Sequence, residues 1–229
     1  MRHVTLAVVL AIVGPACAGA AGAAPPVAAG THAYYYLKPN EIDLDVLLPP
    51  PPQAASAQER ADEEQVAAAV AARSPAQLFE AEEASKRSVF FFASSIGSNF
   101  SATRLPVTAA FFRRVRSDVA KLVDDAKAYW QRPRPAGVAR ARGSYPSGHA
   151  AFAASTAILL SQLVPAKRDA IFAQARVFAE NRILLGLHYP SDIASGWTAG
   201  TLAAYAMMQD RRFKHDFTAV KAELHRANL

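Results

Sequence analysis

The sequence predicts an all-α protein, and three observations support that fold class. No segment of the 229 residues shows the alternation of apolar and polar residues that marks a half-buried strand. Apolar and amphipathic stretches are separated by breaks at Pro165, Gly186 and Pro190. Residues 74–77, with the sequence SPAQ, have the form of a helix start: an N-cap, a proline at the first position and a residue that closes a capping box. The length allows one sizeable domain, so we expect a single-domain helical bundle.

The N-terminal 52 residues are expected to differ from the bundle. Residues 1–23 combine an early positive charge, an apolar run and small residues, which is typical of a secretory signal peptide and too short for a membrane span. Cys17 is the only cysteine and lies in this segment, so the mature protein would contain no disulfide. Residues 24–52 end in four prolines and lack a helical period, which predicts an extended Pro-rich arm over the helical body, 53–229.

Seven helices are expected in the body. Alanine-rich composition predicts the first, over 53–73, and the capping signal starts a second that runs through three phenylalanines and stops before Gly97. A third runs from Pro106 to Gln131, followed by a loop over 136–146. The other helices are expected at about 148–163, 167–185, 191–209 and 213–229, the last of them amphipathic and packed on the outside. The apolar runs 150–164 and 193–208 fall short of the roughly 20 residues that span a bilayer, which argues against a membrane protein.

Charged and polar residues are concentrated in three clusters between positions 127 and 192. Lys127 and Arg134 are seven residues apart, about two turns, so a continuous helix would place both on one face. Ser147 and Gly148 precede an apolar run, where the free N–H groups of a helix N-terminus favour an anion. His149 follows, and Arg182, His188 and Asp192 form the third cluster. Burying several unpaired cations is costly, so a shared tetrahedral oxyanion is the economical explanation.

Several of these residues allow a second interpretation. Arg132 could take the role of Arg134; helical phase favours Arg134, and substitution of Arg132 is then expected to be mild. Ser147 could be an N-cap only. His188 and Asp192 are four residues apart and could be a structural hydrogen bond or metal ligands. Ser147 could belong to a Ser-His-Asp hydrolase, although it lacks the G-x-S-x-G elbow.

The three clusters together resemble the signature of the type 2 phosphatidic acid phosphatase superfamily, which includes the vanadium-dependent haloperoxidases. The signature reads K-x6-R-P, P-S-G-H and S-R-x5-H-x3-D, and residues 127–135, 146–149 and 182–192 fit it. Asn181 stands where the pattern has Ser. Within the superfamily the chain looks most like the bacterial class A non-specific acid phosphatases, because it has a secretory N-terminus, the run LLPPPP at 47–52 and GSYPSGH at 143–149.

The resemblance implies a periplasmic acid phosphatase of broad specificity that needs no metal or other cofactor. His188 would be the nucleophile, Asp192 would orient its ring, and His149 would protonate the leaving alcohol. The phosphoryl oxygens would be bound by the remaining site residues: Lys127, Arg134, Ser147, Gly148 and Arg182. Phosphate and vanadate would act as inhibitors.

Two other functions stay open at this point. Vanadate would bind to the same phosphoryl-binding residues, called the phosphoryl cage below, so a vanadate-dependent haloperoxidase is one alternative. An oxyanion-binding protein without catalysis is another. The net charge of +6 helps to attract small anionic phosphomonoesters, but it is not clustered enough to indicate nucleic-acid binding. The oligomeric state is open, with a homodimer as one possibility.

Overall fold

The computed structural model of the protein describes residues 34–135, 138 and 140–229; the expected signal peptide and arm residues 24–33 lie outside them. The described residues are mainly helical and contain no strand, which confirms the all-α prediction. The α-helices in these ranges are α1 (Leu44–Leu47), α2 (Ala57–Ala72), α3 (Pro75–Glu83), α4 (Ala93–Ile96), α5 (Pro106–Trp130), α6 (Gly148–Leu163), α7 (Arg168–Leu184), α8 (Pro190–Met207) and α9 (Arg211–Arg226). Short 3₁₀ helices cover Ala84–Lys86, Val89–Phe92 and Pro165–Lys167.

The predicted helix bounds mostly agree with these elements to within about two residues. The capping box at the start of α3 is present, with the Ser74 side chain accepting from the Gln77 backbone and the Gln77 side chain accepting from the Ser74 backbone. In the part of the chain that the structure describes, no helix combines the length and apolar character of a bilayer span.

The bundle is built around α6, most of whose residues are buried. It packs against α5, α7 and α8. Ser147 caps it, and the Ser147 Oγ accepts a hydrogen bond from the Ala150 N–H at 3.3 Å. The N-terminal end of α6, where the three clusters of charged and polar residues meet, is therefore fixed by packing against α5, α7 and α8.

Two glycines allow α8 to pack directly on the backbone of α6. A Cβ added at Gly196 would lie 2.4 Å from the Ser147 carbonyl oxygen, and one added at Gly200 would lie 2.1 Å from that of Ala151. Both distances are far below van der Waals contact, so only glycine fits. The Asp192 carbonyl oxygen, in the first turn of α8, also accepts from the Ser147 N–H at 2.9 Å. The contact fixes Asp192 relative to the start of α6.

Gly200→Ala is expected to destabilise the protein by at least the roughly 1–3 kcal/mol of an overpacked core, because the new methyl group meets backbone atoms that cannot rotate away. Urea denaturation monitored by circular dichroism measures the change. Thr198→Ala, at an exposed position of the same helix, is the control and should change the unfolding free energy by less than about 0.5 kcal/mol. Equal stability of the two variants would contradict the packing described here.

The described part of the N-terminal arm lies against α5. The Asp118 carboxylate, which is fully buried, accepts from the backbone N–H groups of Tyr35, Tyr36 and Leu37 at 2.5–2.8 Å. The Tyr36 ring is buried among aromatic side chains that include Phe111. The arm also contains one unpredicted helical turn, α1, whose N-cap is the Asp43 side chain.

The continuous helix expected from residue 74 to Gly97 is wrong. α3 ends at Glu83, and Arg87 adopts a left-handed backbone conformation with φ 47° between two 3₁₀ turns. The Ser88 hydroxyl then accepts from the Phe90 N–H and starts a new turn. Aromatic and β-branched residues after Ser88 have weak helix propensity, which favours this break. The break brings Ser85 and Arg87 to the N-terminal end of α6.

Candidate active site

His188 and Asp192 form a buried hydrogen-bonded pair where the α7–α8 connection enters α8. His188 Nδ1 lies 3.2 Å from Asp192 Oδ2. An ionised carboxylate only accepts, so Nδ1 carries the proton and Nε2 keeps its lone pair. Arg134 Nη1, which can only donate, lies 3.2 Å from Nε2. Burial lowers the pKa of His188, which also favours the neutral ring. Nε2 is therefore the nitrogen with nucleophilic character.

Arg132 holds the Asp192 carboxylate in place. Its Nη1 donates to Asp192 Oδ1 at 2.7 Å, while Nη2 donates to Glu59 at 2.6 Å and to Asp62 at 3.0 Å. Burial raises the pKa of Asp192, but the His188 hydrogen bond and the Arg132 charge outweigh burial and keep that pKa below its usual value. Arg132 is thus a positioning residue within a buried ion network.

The structure gives Arg132 and Arg134 different places, and the helix that carries Lys127 does not continue as far as Arg134. α5 ends at Trp130, and Gln131 is left-handed, so Arg134 lies on the loop that follows. This loop still brings Arg134 to the site, where it donates to the Leu187 carbonyl at 2.7 Å and contacts His188. Pro133 and Pro135 follow the helix end closely, which fits their inability to continue it.

Lys127 and Arg182 are largely buried cations with little compensation. Lys127 Nζ donates to the carbonyl oxygens of Gly143 and Ser144, each at 2.7 Å. Burial and the charge of Arg134 lower the pKa of Lys127 to about 7. Burial and the charges of Arg140 and Arg134 lower the pKa of Arg182 to about 10. Both lowered pKa values mean that burial and neighbouring cations destabilise the charged forms of these side chains, and a bound anion would raise the pKa values again.

Arg182 also has unused hydrogen-bonding capacity. Its Nη1 donates to Ser85 Oγ at 2.7 Å, but its buried Nε has no partner among the described residues. A buried guanidinium N–H without an acceptor costs free energy unless a ligand supplies one.

Ser147 and Gly148 form the N-terminal end of α6. Ser147 is fully buried and its hydroxyl serves as the N-cap, so the N-cap interpretation describes its contacts in this structure. Gly148 lines the cleft, and a Cβ there would lie 3.6 Å from Arg87 Nη1. The first N–H groups of a helix have no intrahelical acceptor, and the helix dipole favours an anion beside them.

One ring nitrogen of His149 contacts the backbone of the segment that follows α3. Its Nε2 lies 3.1 Å from the Ser85 carbonyl oxygen, which only accepts, so Nε2 carries a proton, and Nδ1 makes no hydrogen bond to any other described residue. Burial lowers the pKa of His149 well below its usual value, and the charges of Arg182 and Arg87 lower it further. An anion bound among these cations would raise this pKa and allow Nδ1 to hold a proton for transfer.

These groups surround a cleft of about 340 Å³. Its lining carries five cationic side chains and one carboxylate, Asp124, which is already paired with Arg142. Five of the eight predicted site residues line it: Lys127, Arg134, Gly148, His149 and His188. Ser147, Arg182 and Asp192 are buried and are not part of the lining, whereas Arg140 and Arg142 also line the cleft. Among the described ranges, no group of three His, Cys, Asp or Glu side chains is arranged to hold a metal.

Two functional candidates were not identified from the sequence. The sequence indicates Arg132 only as an alternative to Arg134, because its carboxylate partners lie 60–73 positions away in the chain. No motif marks Arg87, which falls in a stretch that the sequence predicts as helix. No local signal distinguishes either arginine from an exposed one.

The central part of the chain matches a protein family. Residues 109–216 fit the family model described as the PAP2 superfamily. The chain contains a PAP2 superfamily domain. All eight predicted site residues fall inside the matched PAP2 segment, whereas Arg87 and the arm precede it.

The chain that carries this PAP2 domain is similar to proteins named acid phosphatases. It is 28% identical over 150 residues to "Acid phosphatase" of Zymomonas mobilis, covering 59% of this chain and 56% of that protein. It is 30% identical over 97 residues to "Non-specific acid phosphatase" of Salmonella typhi, covering 42% of this chain and 39% of that protein. The chain thus spans about half the length, or less, of these relatives.

A crystal structure of a transmembrane PAP2-type phosphatidylglycerolphosphate phosphatase from Bacillus subtilis has a TM-score of 0.49 to this chain. The two are 20% identical, and the match covers 68% of this chain and 87% of that one.

Proposed function

We propose that the protein is an acid phosphatase that hydrolyses phosphomonoesters through a phosphohistidine intermediate at His188. One observation carries the proposal: the unprotonated Nε2 of His188 lies 3.2 Å from the cationic Arg134 Nη1, in a cleft rich in positive charge. A nucleophile beside donors for a developing negative charge is the arrangement that phosphoryl transfer requires. The PAP2 match and the named acid phosphatases support the substrate class.

In the first step, the Nε2 lone pair of His188 attacks phosphorus, and the bond between phosphorus and the ester oxygen breaks. His149 Nδ1–H gives its proton to the departing oxygen, which leaves as an alcohol. Lys127, Arg134 and Arg182, with the Gly148 N–H, would hold the phosphoryl oxygens as their charge grows. Arg134 would move its Nη1 hydrogen bond from Nε2 to a phosphoryl oxygen when substrate enters.

In the second step, water replaces the histidine. His149, now neutral, takes a proton from the water as its oxygen attacks phosphorus, and the bond from phosphorus to Nε2 breaks. Inorganic phosphate leaves with both histidines restored. Asp192 keeps Nδ1–H of His188 in place throughout and stabilises the positive charge that the ring carries in the intermediate.

Metal independence is part of the proposal, because the cleft supplies its own cations and these would repel a metal ion. The proposal also includes broad specificity of the class A type, a signal peptide over 1–23, export to the periplasm, and division of the mature chain into an arm, 24–52, and a phosphatase domain, 53–229. The contacts of Asp118 with residues 35–37 support an arm held on the domain.

Turnover of p-nitrophenyl phosphate by the purified mature protein is expected to survive dialysis against a chelator. The value of kcat/KM should fall as pH rises through about 7, because Lys127, whose pKa is lowered to about 7, is protonated below that pH and loses its proton above it. The assay is run from pH 4 to 9, with and without chelator, and metal-dependent recovery of activity would contradict the metal-free cage.

Added vanadate separates this function from the alternatives. A phosphatase is inhibited by vanadate and by phosphate, while a haloperoxidase would gain halide oxidation when vanadate is added. A protein that only binds oxyanions would release no phosphate from any ester.

A further inference from the structure

Arg87 is a cleft-lining cation that the proposed reaction does not use. It is half-buried on the connector between the 3₁₀ turns Ala84–Lys86 and Val89–Phe92. Among the described residues its side chain has no hydrogen-bond or ion-pair partner; the one cleft carboxylate, Asp124, is bound by Arg142. Burial lowers the pKa of Arg87, and neighbouring Arg116 lowers it further. A guanidinium in such a place favours an anion supplied by a ligand.

The location of Arg87 indicates which part of a substrate it would meet. Its Nη1 is 3.6 Å from the position of a Cβ at Gly148. The Ser85 carbonyl, two residues earlier in the chain, accepts from His149 Nε2 at 3.1 Å. Arg87 therefore lies beside the residue that would protonate the leaving group. Lys127, Arg134 and Arg182 already provide three cations for the transferred phosphoryl group.

We infer that Arg87 is a specificity-determining residue that binds a second anionic group, a carboxylate or phosphate, on the leaving-group side of the substrate. The inference rests on the proposed function. It adds a preference among esters: phosphomonoesters whose alcohol carries a carboxylate or a second phosphate are preferred over those whose alcohol is uncharged. Arg87 would form charge-assisted hydrogen bonds to that second group, and its planar guanidinium can bind a carboxylate through two parallel N–H groups.

The test compares 2-phosphoglycerate with glycerol 2-phosphate, two esters that differ by a carboxylate in place of a hydroxymethyl group. Wild type should have the higher kcat/KM on 2-phosphoglycerate. Arg87→Ala should lower that value roughly ten- to a hundredfold, the effect of losing a hydrogen bond between charged groups. On glycerol 2-phosphate the same variant should lose less than about threefold. The kcat/KM of Arg87→Lys on 2-phosphoglycerate should lie between those of wild type and Arg87→Ala, since lysine keeps the charge but lacks the two parallel N–H donors of a guanidinium.

Arg113→Ala is the matched control, because it removes the same charge from an exposed position on α5. It should leave the preference between the two esters unchanged. The inhibition constant of inorganic phosphate should also be unchanged in Arg87→Ala, since phosphate alone occupies the phosphoryl cage. A thermal melt of each variant checks folding, and Arg87→Gln replaces Arg87→Ala if the alanine variant unfolds.

The outcomes separate the two proposals. If wild type hydrolyses neither ester, the proposed phosphatase function fails and the inference fails with it. If wild type hydrolyses both and Arg87→Ala lowers both equally, or weakens phosphate inhibition in parallel, Arg87 belongs to the phosphoryl cage and only the second-anion inference is overturned. An unchanged ratio between the two esters also overturns it.

Discussion

His188→Ala is expected to form no phosphoenzyme with any substrate and to lose roughly 10⁴–10⁶ in kcat, the scale seen when a covalent nucleophile is removed. His149→Ala should fail differently. It should still be phosphorylated by p-nitrophenyl phosphate, whose leaving group departs with little protonation. On alkyl phosphates it should lose about 10²–10⁴, because the alkoxide needs the proton. Rapid-quench labelling with ³²P-labelled esters measures both effects.

Asp192→Asn serves as the companion variant in that experiment. It should still bind phosphate but react slowly, since an amide cannot hold the His188 ring in the same tautomer. Label on His188→Ala protein would remove the nucleophile assignment. Equal loss on both ester classes in His149→Ala would remove the leaving-group assignment.

Arg134→Ala and Arg132→Ala are expected to fail for different reasons. Arg134 is half-buried and would contact the phosphoryl group, so its loss should lower kcat/KM by roughly 10²–10³ with little change in stability. Arg132→Ala leaves the carboxylates of Glu59, Asp62 and Asp192 without their shared cation. Breaking a buried ion network in this way costs about 3–5 kcal/mol. The mild effect expected for Arg132 from the sequence is thus replaced by a large effect on folding.

Urea denaturation and kcat/KM are measured on both variants to distinguish these effects. Arg132→Lys is the matched control, because it keeps one charge but cannot reach three carboxylates with a planar fork. It should recover part of the stability. A stable Arg132→Ala protein together with an unfolded Arg134→Ala protein would mean that the two roles are exchanged.

The sequence predicted the helices that carry the site with good accuracy, because their start and stop signals are local. Proline at the first helical position and Ser147 at an N-cap act within a few residues, and both mark observed helix starts. The three clusters were also brought together as expected. The proximity of the three clusters could be predicted because each contains a cation or a histidine that is costly to bury alone.

The features that the sequence did not predict depend on contacts between segments that are distant in the chain. Arg132 and Arg134 are two positions apart in a proline-interrupted loop, and only the placement of α2 and its acids decides which one faces the cleft. The break after α3 follows from the left-handed Arg87 and the Ser88 cap, which are weak signals beside a strong helix start. Helical phase is no guide to the position of Arg134, because α5 ends at Trp130. Arg134, the residue that the phase favoured, nevertheless lines the cleft.

Gly196 and Gly200 place α8 directly against the backbone of α6. Small changes in packing therefore cannot move Asp192 relative to the start of α6. The arginines farther out in the cleft, Arg87, Arg140 and Arg142, come instead from connecting segments. Loops tolerate substitution and insertion far better than a close helix–helix contact does. Divergence of this chain, in nature or in a mutant library, can therefore change the outer cationic side chains of the cleft by altering two loops, while the contact that holds Asp192 against α6 stays unchanged.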